Sequence, residues 1–240
     1  MNSDEILAAN KRNYQNLYSK QEGFLRYPAD WVLRFYNMYL KENMPSGRVL
    51  DYGCGSGNNS IFFIEEGYET YGVDVADAAL PLIKANLQSR HLDIGLADRF
   101  SIISPDFSSL PFETGFFNFI ISNQVLYYLP SEEHIRRVCK EFSRCLRLGG
   151  IVFFTMFGPK NYYFTHHAKQ IHGGKVFEIE IDDPTHRLYG LRELIYLVPD
   201  VDELKDLFSE FECVSTGYFD QSMFDMVSNF HWIFVGKKCA

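Results

Sequence analysis

The stretch Val49-Leu50-Asp51-Tyr52-Gly53-Cys54-Gly55-Ser56-Gly57 constrains the fold more than any other part of the chain. An apolar pair runs into an acid and then into three glycines at alternate positions. A helical pattern follows, from Ser56 to Glu66, and Gly67 is placed to cap it. This order describes a buried strand, a tight glycine turn and a helix N-terminus, a recurrent way to hold a nucleotide-like ligand. Glycines 53, 55 and 57 let the backbone approach a ligand without interference from Cβ atoms.

The rest of the chain extends that unit. Residues 4–20 carry a partly apolar helical stripe, broken at Gly23, and Pro28 is placed to open a second helix over 28–43 with Trp31, Val32, Phe35, Met38 and Tyr39 on one side. These two helices, residues 1–45, are expected to form a lid or a flank. Strands are expected at 48–52, 69–74, 100–103, 116–122 and 151–155, with helices at 76–90 and from Pro130-Ser131 to Leu148, the last capped by Gly149-Gly150. Such alternation predicts an α/β fold: a seven-stranded, mostly parallel sheet with helices on both faces. Residues 157–199 break the pattern and read as an inserted cap in which 175–182 is an edge strand with an acidic outer face; Leu188-Tyr189 and 194–198 supply further strand. Asp200-Val201-Asp202-Glu203 is a capping box for a helix to about Ser209, and segments 211–219 and 231–236 form an antiparallel closing hairpin. The chain is thus one domain, 1–240, with its cofactor-binding core at 46–156 and a C-terminal helix and hairpin at 200–240.

Composition narrows the partners. The net charge is −8, the wrong sign for a surface that tracks phosphates, so nucleic acid is not the expected partner. Five scattered cysteines without a CxxC suggest neither zinc nor a disulfide framework, and a reducing, cytoplasmic setting fits. The N-terminus lacks the basic start of a signal peptide, and no apolar run has membrane-spanning length.

In sheets of this kind ligands bind beyond the carboxyl ends of the strands. Asp51, Asp74, Asp106 and Asn123 all fall at such ends. Asp51 suits a cationic group such as an ammonium. Asp74, 21 residues after Gly53, has the spacing of an acid that takes ribose hydroxyls. Asp106 followed by Phe107 fits an exocyclic adenine amine with ring stacking. Together these residues describe an amine, a ribose and an adenine without phosphates.

At these positions the chain resembles the class I S-adenosylmethionine-dependent methyltransferases. The match is residues 49–57 for the first motif, Tyr71-Gly72-Val73-Asp74 for the ribose acid, 105–112 for the adenine segment, 119–126 for the fourth strand and Leu146-Arg147-Leu148-Gly149-Gly150 for the turn before the fifth. The resemblance covers residues 47–156 and the closing hairpin. It implies S-adenosyl-L-methionine as cofactor, with S-adenosyl-L-homocysteine as product. It further implies that Asp51, Gly53, Cys54 and Gly55 cradle the methionine part, that Asp74 with Val75 holds the ribose, that Asp106 with Phe107 holds the adenine, and that Asn123 faces the methionine moiety. Where relatives often carry a histidine after strand four, this chain has Tyr127-Tyr128, so that role does not transfer.

Transfer from a sulfonium is an in-line displacement with a neutral leaving group, so alignment and desolvation dominate. Tyr14, Tyr18, Tyr127 and Tyr128 are candidates for cation–π contacts, or else pack in the core or rim. Arg26 is a lid candidate for the methionine carboxylate. His166, His167 and His172 lie in the insert and are either acceptor-pocket residues, with Tyr127 and Tyr128, or exposed loop histidines. With Asp182 and Asp183 they match no metal-ligand spacing, and no metal is expected. No sequence feature designates a catalytic residue. The expected acceptor is a small molecule or a sugar-type metabolite. Two other readings remain open at this point: a non-catalytic S-adenosylmethionine sensor or partner subunit, and an NAD-dependent oxidoreductase, whose third glycine would fall on Asn58.

Overall fold

In the computed structural model, residues 2–20, 26–171, 174–186, 189–222 and 229–239 are described. Gly23, His172 and Leu188, each assigned a part above, lie outside them.

The core is a seven-stranded sheet in the order β3-β2-β1-β4-β5-β10-β9. Its parallel strands are β1 (Arg48–Tyr52), β2 (Glu69–Asp74), β3 (Phe100–Ile102), β4 (Phe117–Ser122) and β5 (Leu146–Phe157). β10 (His231–Lys237) runs antiparallel between β5 and β9 (Glu212–Phe219), which places the expected hairpin at the sheet edge with its second strand inside.

Side chains that alternate along each strand feed two helical layers. Val49, Phe119, Phe153 and Val235 pack on one face, against Val32 and Phe35 of α2 (Asp30–Phe35) and Phe63 of α3 (Asn58–Glu65). Leu50, Ile120, Phe154 and Phe234 pack on the other, against Phe142 of α5 (Glu132–Cys145) and Leu204 of α7 (Val201–Leu207). Each fully buried Phe of this set contributes about 2–3 kcal/mol by removal from water. α4 (Ala79–Ser89) lies beside α3, with Ile83 and Leu87 joining Ile61. Gly67, at φ +90°, follows α3 as expected.

Several boundaries differ from the sequence expectation. α2 begins at Asp30, and Pro28 stays ahead of it. A π-helical turn, Tyr36–Leu40, continues α2; its wider winding rotates Met38 out to 69% exposure. α5 stops at Cys145, not Leu148, and Gly149-Gly150 lies inside β5. The reason is competition from the chain end. Gly149 N–H donates to Lys238 O, Lys238 N–H donates to Gly150 O, and the Lys238 ammonium caps the helix at Ser143 O and Leu146 O. Asp200 caps α7 through the N–H groups of Asp202 and Glu203, but Glu203 pairs with Lys175, so the reciprocal half of the capping box is not made.

The cap is a three-stranded antiparallel sheet, β6 (Ala168–Gln170), β7 (Val176–Glu180) and β8 (Arg192–Tyr196), preceded by α6 (Tyr162–His167). β7 is its centre, not an edge. Its acidic residues Glu178 and Glu180 point outward to Arg192 and Lys169, which supply the flanking strands with complementary charge. α1 (Ser3–Ser19) starts with a capping box between Asn2 and Glu5. It is fastened by buried Asn10, whose amide donates to Tyr128 O (2.9 Å) and Leu194 O (2.8 Å) and accepts from Leu194 N–H (3.2 Å). One side chain thus joins the lid helix, the turn after β4 and the cap.

Candidate active site

A cavity of about 430 Å³ lies beyond the carboxyl ends of β1, β2 and β4. Its floor is the Gly53–Ser56 loop. There Gly53 and Gly55 take φ of +76° and +52°, conformations that favour glycine. The N–H groups of Gly53 and Cys54 donate to Val73 O and tie the loop to β2 (2.8 and 3.1 Å). Asp74 and Val75 extend that floor. Both Asp74 carboxylate oxygens accept from backbone, Oδ2 from Gly55 N–H (2.8 Å) and Oδ1 from Ala76 N–H (2.9 Å). Burial raises the Asp74 carboxyl above the usual range, and these N–H donors oppose the shift.

Asp51 sits beneath the floor rather than on it. It is buried and accepts from Ser60 Oγ at 2.5 Å; burial pushes its carboxyl up to about 7. Asn123 lines the cavity with Oδ1 accepting from Trp31 Nε1 (2.8 Å). The next residue, Gln124, adopts φ +60°, and its N–H donates to Thr155 Oγ1. This non-glycine residue in left-handed backbone is strained, and it borders the cavity.

Five predicted residues, Asp106, Phe107, Arg26, His166 and His167, are not brought together with the rest. Asp106 is exposed and paired with Arg137 of α5 at 2.8 Å. Phe107 packs toward Tyr52, with ring centroids 6.2 Å apart. Their neighbours Ile103 and Pro105 line the cavity instead. Arg26 is exposed and donates to Ser89 O at the end of α4, away from the cavity lining. In the cap, His166 is exposed and stacks on Tyr162, while His167 lies against Tyr162 and Tyr163; only Tyr163 of this group lines the cavity.

The four tyrosines converge. Tyr14, Tyr18, Tyr127 and Tyr128 all line the cavity. Tyr14 meets Tyr128 edge-on at 5.0 Å and Tyr18 at 5.7 Å, and Tyr127 lies 4.4 Å from Tyr128. The Tyr18 hydroxyl overhangs Gly55: a Cβ there would stand 2.7 Å from it.

Two wall residues escaped the sequence reading. His231, at the start of β10, is buried; its Nδ1–H donates to Asn229 O (3.1 Å), and Nε2 has no partner among the described residues. Burial holds this imidazole down at about 4, so it is neutral and Nε2 is an acceptor. Glu193 of β8 opens onto the cavity and accepts from the Tyr128 hydroxyl at 3.3 Å. Burial pushes its carboxyl up to about 7. The available signal was alternation: Leu191, Glu193 and Ile195 share one strand face, where an acid is out of place beside apolar residues.

The Glu193 shift has a measurable consequence. The folded state holds the proton more tightly than the unfolded chain, so this site's contribution is full below the ordinary carboxyl range and is lost as pH rises toward 7. Glu193→Gln removes that loss. Urea unfolding at pH 4.5 and 8 is expected to show near-equal stability at the lower pH and a more stable variant at pH 8, by up to ~3 kcal/mol.

Residues 50–154 match the methyltransferase domain family. This segment is a methyltransferase domain. The chain is 29% identical over 126 residues to a malonyl-[acyl-carrier protein] O-methyltransferase of Legionella pneumophila, covering 52% of this chain and 40% of that protein. A Schizosaccharomyces pombe mRNA cap guanine-N(7) methyltransferase is 27% identical over 190 residues, covering 71% of this chain and 51% of the relative. The chain therefore spans about half the length, or less, of these relatives. The fold is like that of Burkholderia thailandensis 1,6-didemethyltoxoflavin-N1-methyltransferase, with a TM-score of 0.68 at 15% identity over 100% of this chain and 92% of that one. Among the described residues, no helix is long and apolar enough to cross a membrane.

Proposed function

We propose that the chain transfers the methyl group of S-adenosylmethionine to a small-molecule acceptor enclosed between the glycine loop and the cap. The observation that carries this reading is one shared cavity: the bare Gly53–Gly55 backbone and buried Asp74 form its floor, and cap residues Ile179, Leu191 and Glu193 form its far wall. Its volume lies within the ordinary range for small-ligand pockets, about 300–1,000 Å³.

The floor fits the donor on two counts. Gly53 and Gly55 present backbone without Cβ, and Asp74 offers a carboxylate with lone pairs beyond those used by Gly55 and Ala76. Gly53, Cys54 and Gly55 would hold the methionine part beside Asn123, and Asp74 with Val75 the ribose. Ile103 and Pro105 would flank the adenine in place of Asp106 and Phe107. S-adenosylmethionine supplies, when bound, a methyl carried on a sulfonium. The protein's part is to align and desolvate. Tyr14, Tyr18, Tyr127 and Tyr128 enclose the space with aromatic faces that favour cationic centres, and α1 and the cap exclude water.

A thermal-shift panel followed by transfer of a labelled methyl group to metabolite pools tests this reading. S-adenosylhomocysteine is expected to stabilise the protein, NAD is not, and label is expected in a small-molecule fraction. Stabilisation by NAD alone overturns the reading. Tight S-adenosylhomocysteine binding with no transfer to any pool identifies a sensor.

A further inference from the structure

Among the described residues, Glu193 is an acid without a counter-ion. Among the described residues its hydrogen-bond partner is the Tyr128 hydroxyl, and no cationic side chain pairs with it. Its neighbour Arg192 turns outward to Glu178. Lys11, the lysine on the cavity wall, reaches instead toward Asp77 at 3.9 Å. The rings of Tyr14, Tyr127 and Tyr128 stand around the carboxylate's end of the cavity, and Asn10 ties the Tyr128 carbonyl to Leu194, the residue after Glu193. A carboxylate withdrawn from water is ordinarily paired, and aromatic faces attract cations and repel anions. Here the described residues supply the acid and the aromatic frame but not the cation.

We propose that the missing cation is the acceptor itself: Glu193 and its tyrosine frame form the binding site for an amine, and the chain is an amine N-methyltransferase. This assignment rests on the methyl-transfer reading above. The site is built for both halves of the task. The ammonium binds by ion pairing with Glu193 and cation–π contact with the tyrosines. Before transfer, one ammonium proton passes to the Glu193 carboxylate, which becomes a neutral carboxylic acid and leaves a free amine. The nitrogen lone pair then forms the N–CH3 bond as the CH3–S bond of the methylsulfonium breaks. That bonding pair goes to sulfur, and the product is a methylated ammonium with a neutral thioether. Burial suits Glu193 to the proton step, because a carboxyl that titrates near neutrality can take and return a proton at working pH. A hydroxyl acceptor would leave the carboxylate without its cation.

Calorimetric titration separates the possibilities. S-adenosylhomocysteine is titrated first; no binding to the wild-type protein defeats the methyl-transfer reading itself, before any amine is added. The loaded protein is then titrated with matched pairs: benzylamine and benzyl alcohol, cyclohexylamine and cyclohexanol, phenethylamine and phenethyl alcohol. At least one amine is expected to bind ten or more times tighter than its alcohol. In Glu193→Gln that preference is expected to fall within twofold, with S-adenosylhomocysteine affinity unchanged within twofold. Amines and alcohols that bind alike throughout, or an amine preference that survives Glu193→Gln, overturn the proposal. A tenfold loss of S-adenosylhomocysteine affinity in Glu193→Gln also overturns it, by assigning the carboxylate to the donor. The unfolding measurement at pH 8 shows whether the variant is folded.

Discussion

Gly53→Ala is expected to destabilise the protein by about 2–5 kcal/mol and to weaken S-adenosylhomocysteine binding at least tenfold. Two costs combine. At φ +76° an alanine pays roughly 1–2 kcal/mol for left-handed backbone. Its Cβ would also stand 2.3 Å from Val125 Cγ2 and 2.6 Å from Cγ1, and overpacking of that kind costs roughly 1–3 kcal/mol. Val125 cannot withdraw freely, because it follows the strained Gln124 and its carbonyl accepts from Tyr128 N–H. Displacement of Val125 therefore reaches both the floor and the tyrosine frame. Gly67→Ala is the control. It has φ +90° with nothing within 4 Å of the added Cβ, so it bears the backbone cost alone and leaves ligand affinity unchanged. Urea denaturation and calorimetry read the two effects separately. Equal stability losses in the two variants would remove the steric part of the account.

Asp74→Ala is expected to reduce S-adenosylhomocysteine affinity by about 100-fold or more. Hydrogen bonds to a charged acceptor are worth roughly 1.5–3 kcal/mol each, and a ribose would offer two hydroxyls. The same substitution strips the acceptors from Gly55 N–H and Ala76 N–H, which would loosen the glycine loop even before ligand binds. Asp74→Asn divides these roles. Its amide keeps one oxygen, so one N–H stays satisfied and the other faces an NH2 group. An affinity between those of wild type and Asp74→Ala is expected. Unchanged affinity in Asp74→Ala would contradict the ribose assignment, whatever the loop does.

Much of the frame was readable from neighbours in sequence. The strand–glycine–helix unit at 48–66, the acid that ends β2 and the alternating strands between them depend on local turn chemistry and on a side-chain period of two. Those properties survive without knowledge of the rest of the chain. Ends of elements were less readable, because distant groups compete for the same backbone. Lys238 draws Gly149-Gly150 into β5, and the capping of α5 passes from those glycines to the Lys238 ammonium.

Side-chain direction is a different matter. Asp106 lies in the loop beyond the end of β3, which stops at Ile102, and Arg137, 31 residues later, holds its carboxylate outside the cavity. Asp51 likewise turns beneath the loop to Ser60. A position at a strand end states where a backbone lies, not which partner takes its side chain.

For this protein, then, sequence alone determined the parallel α/β sheet, the glycine loop and Asp74, because each is a consequence of residues within a few positions of one another. The end of the cavity proposed for the acceptor was decided only by tertiary structure. Tyr14, Tyr128, Glu193 and His231 come from a lid helix, a turn, the cap and the closing strand, and Asn10 binds the first three of those elements across 118 and 184 residues. The physical reason is that a charge acquires its function from what desolvates it and what fails to pair with it, and both are properties of the packed chain.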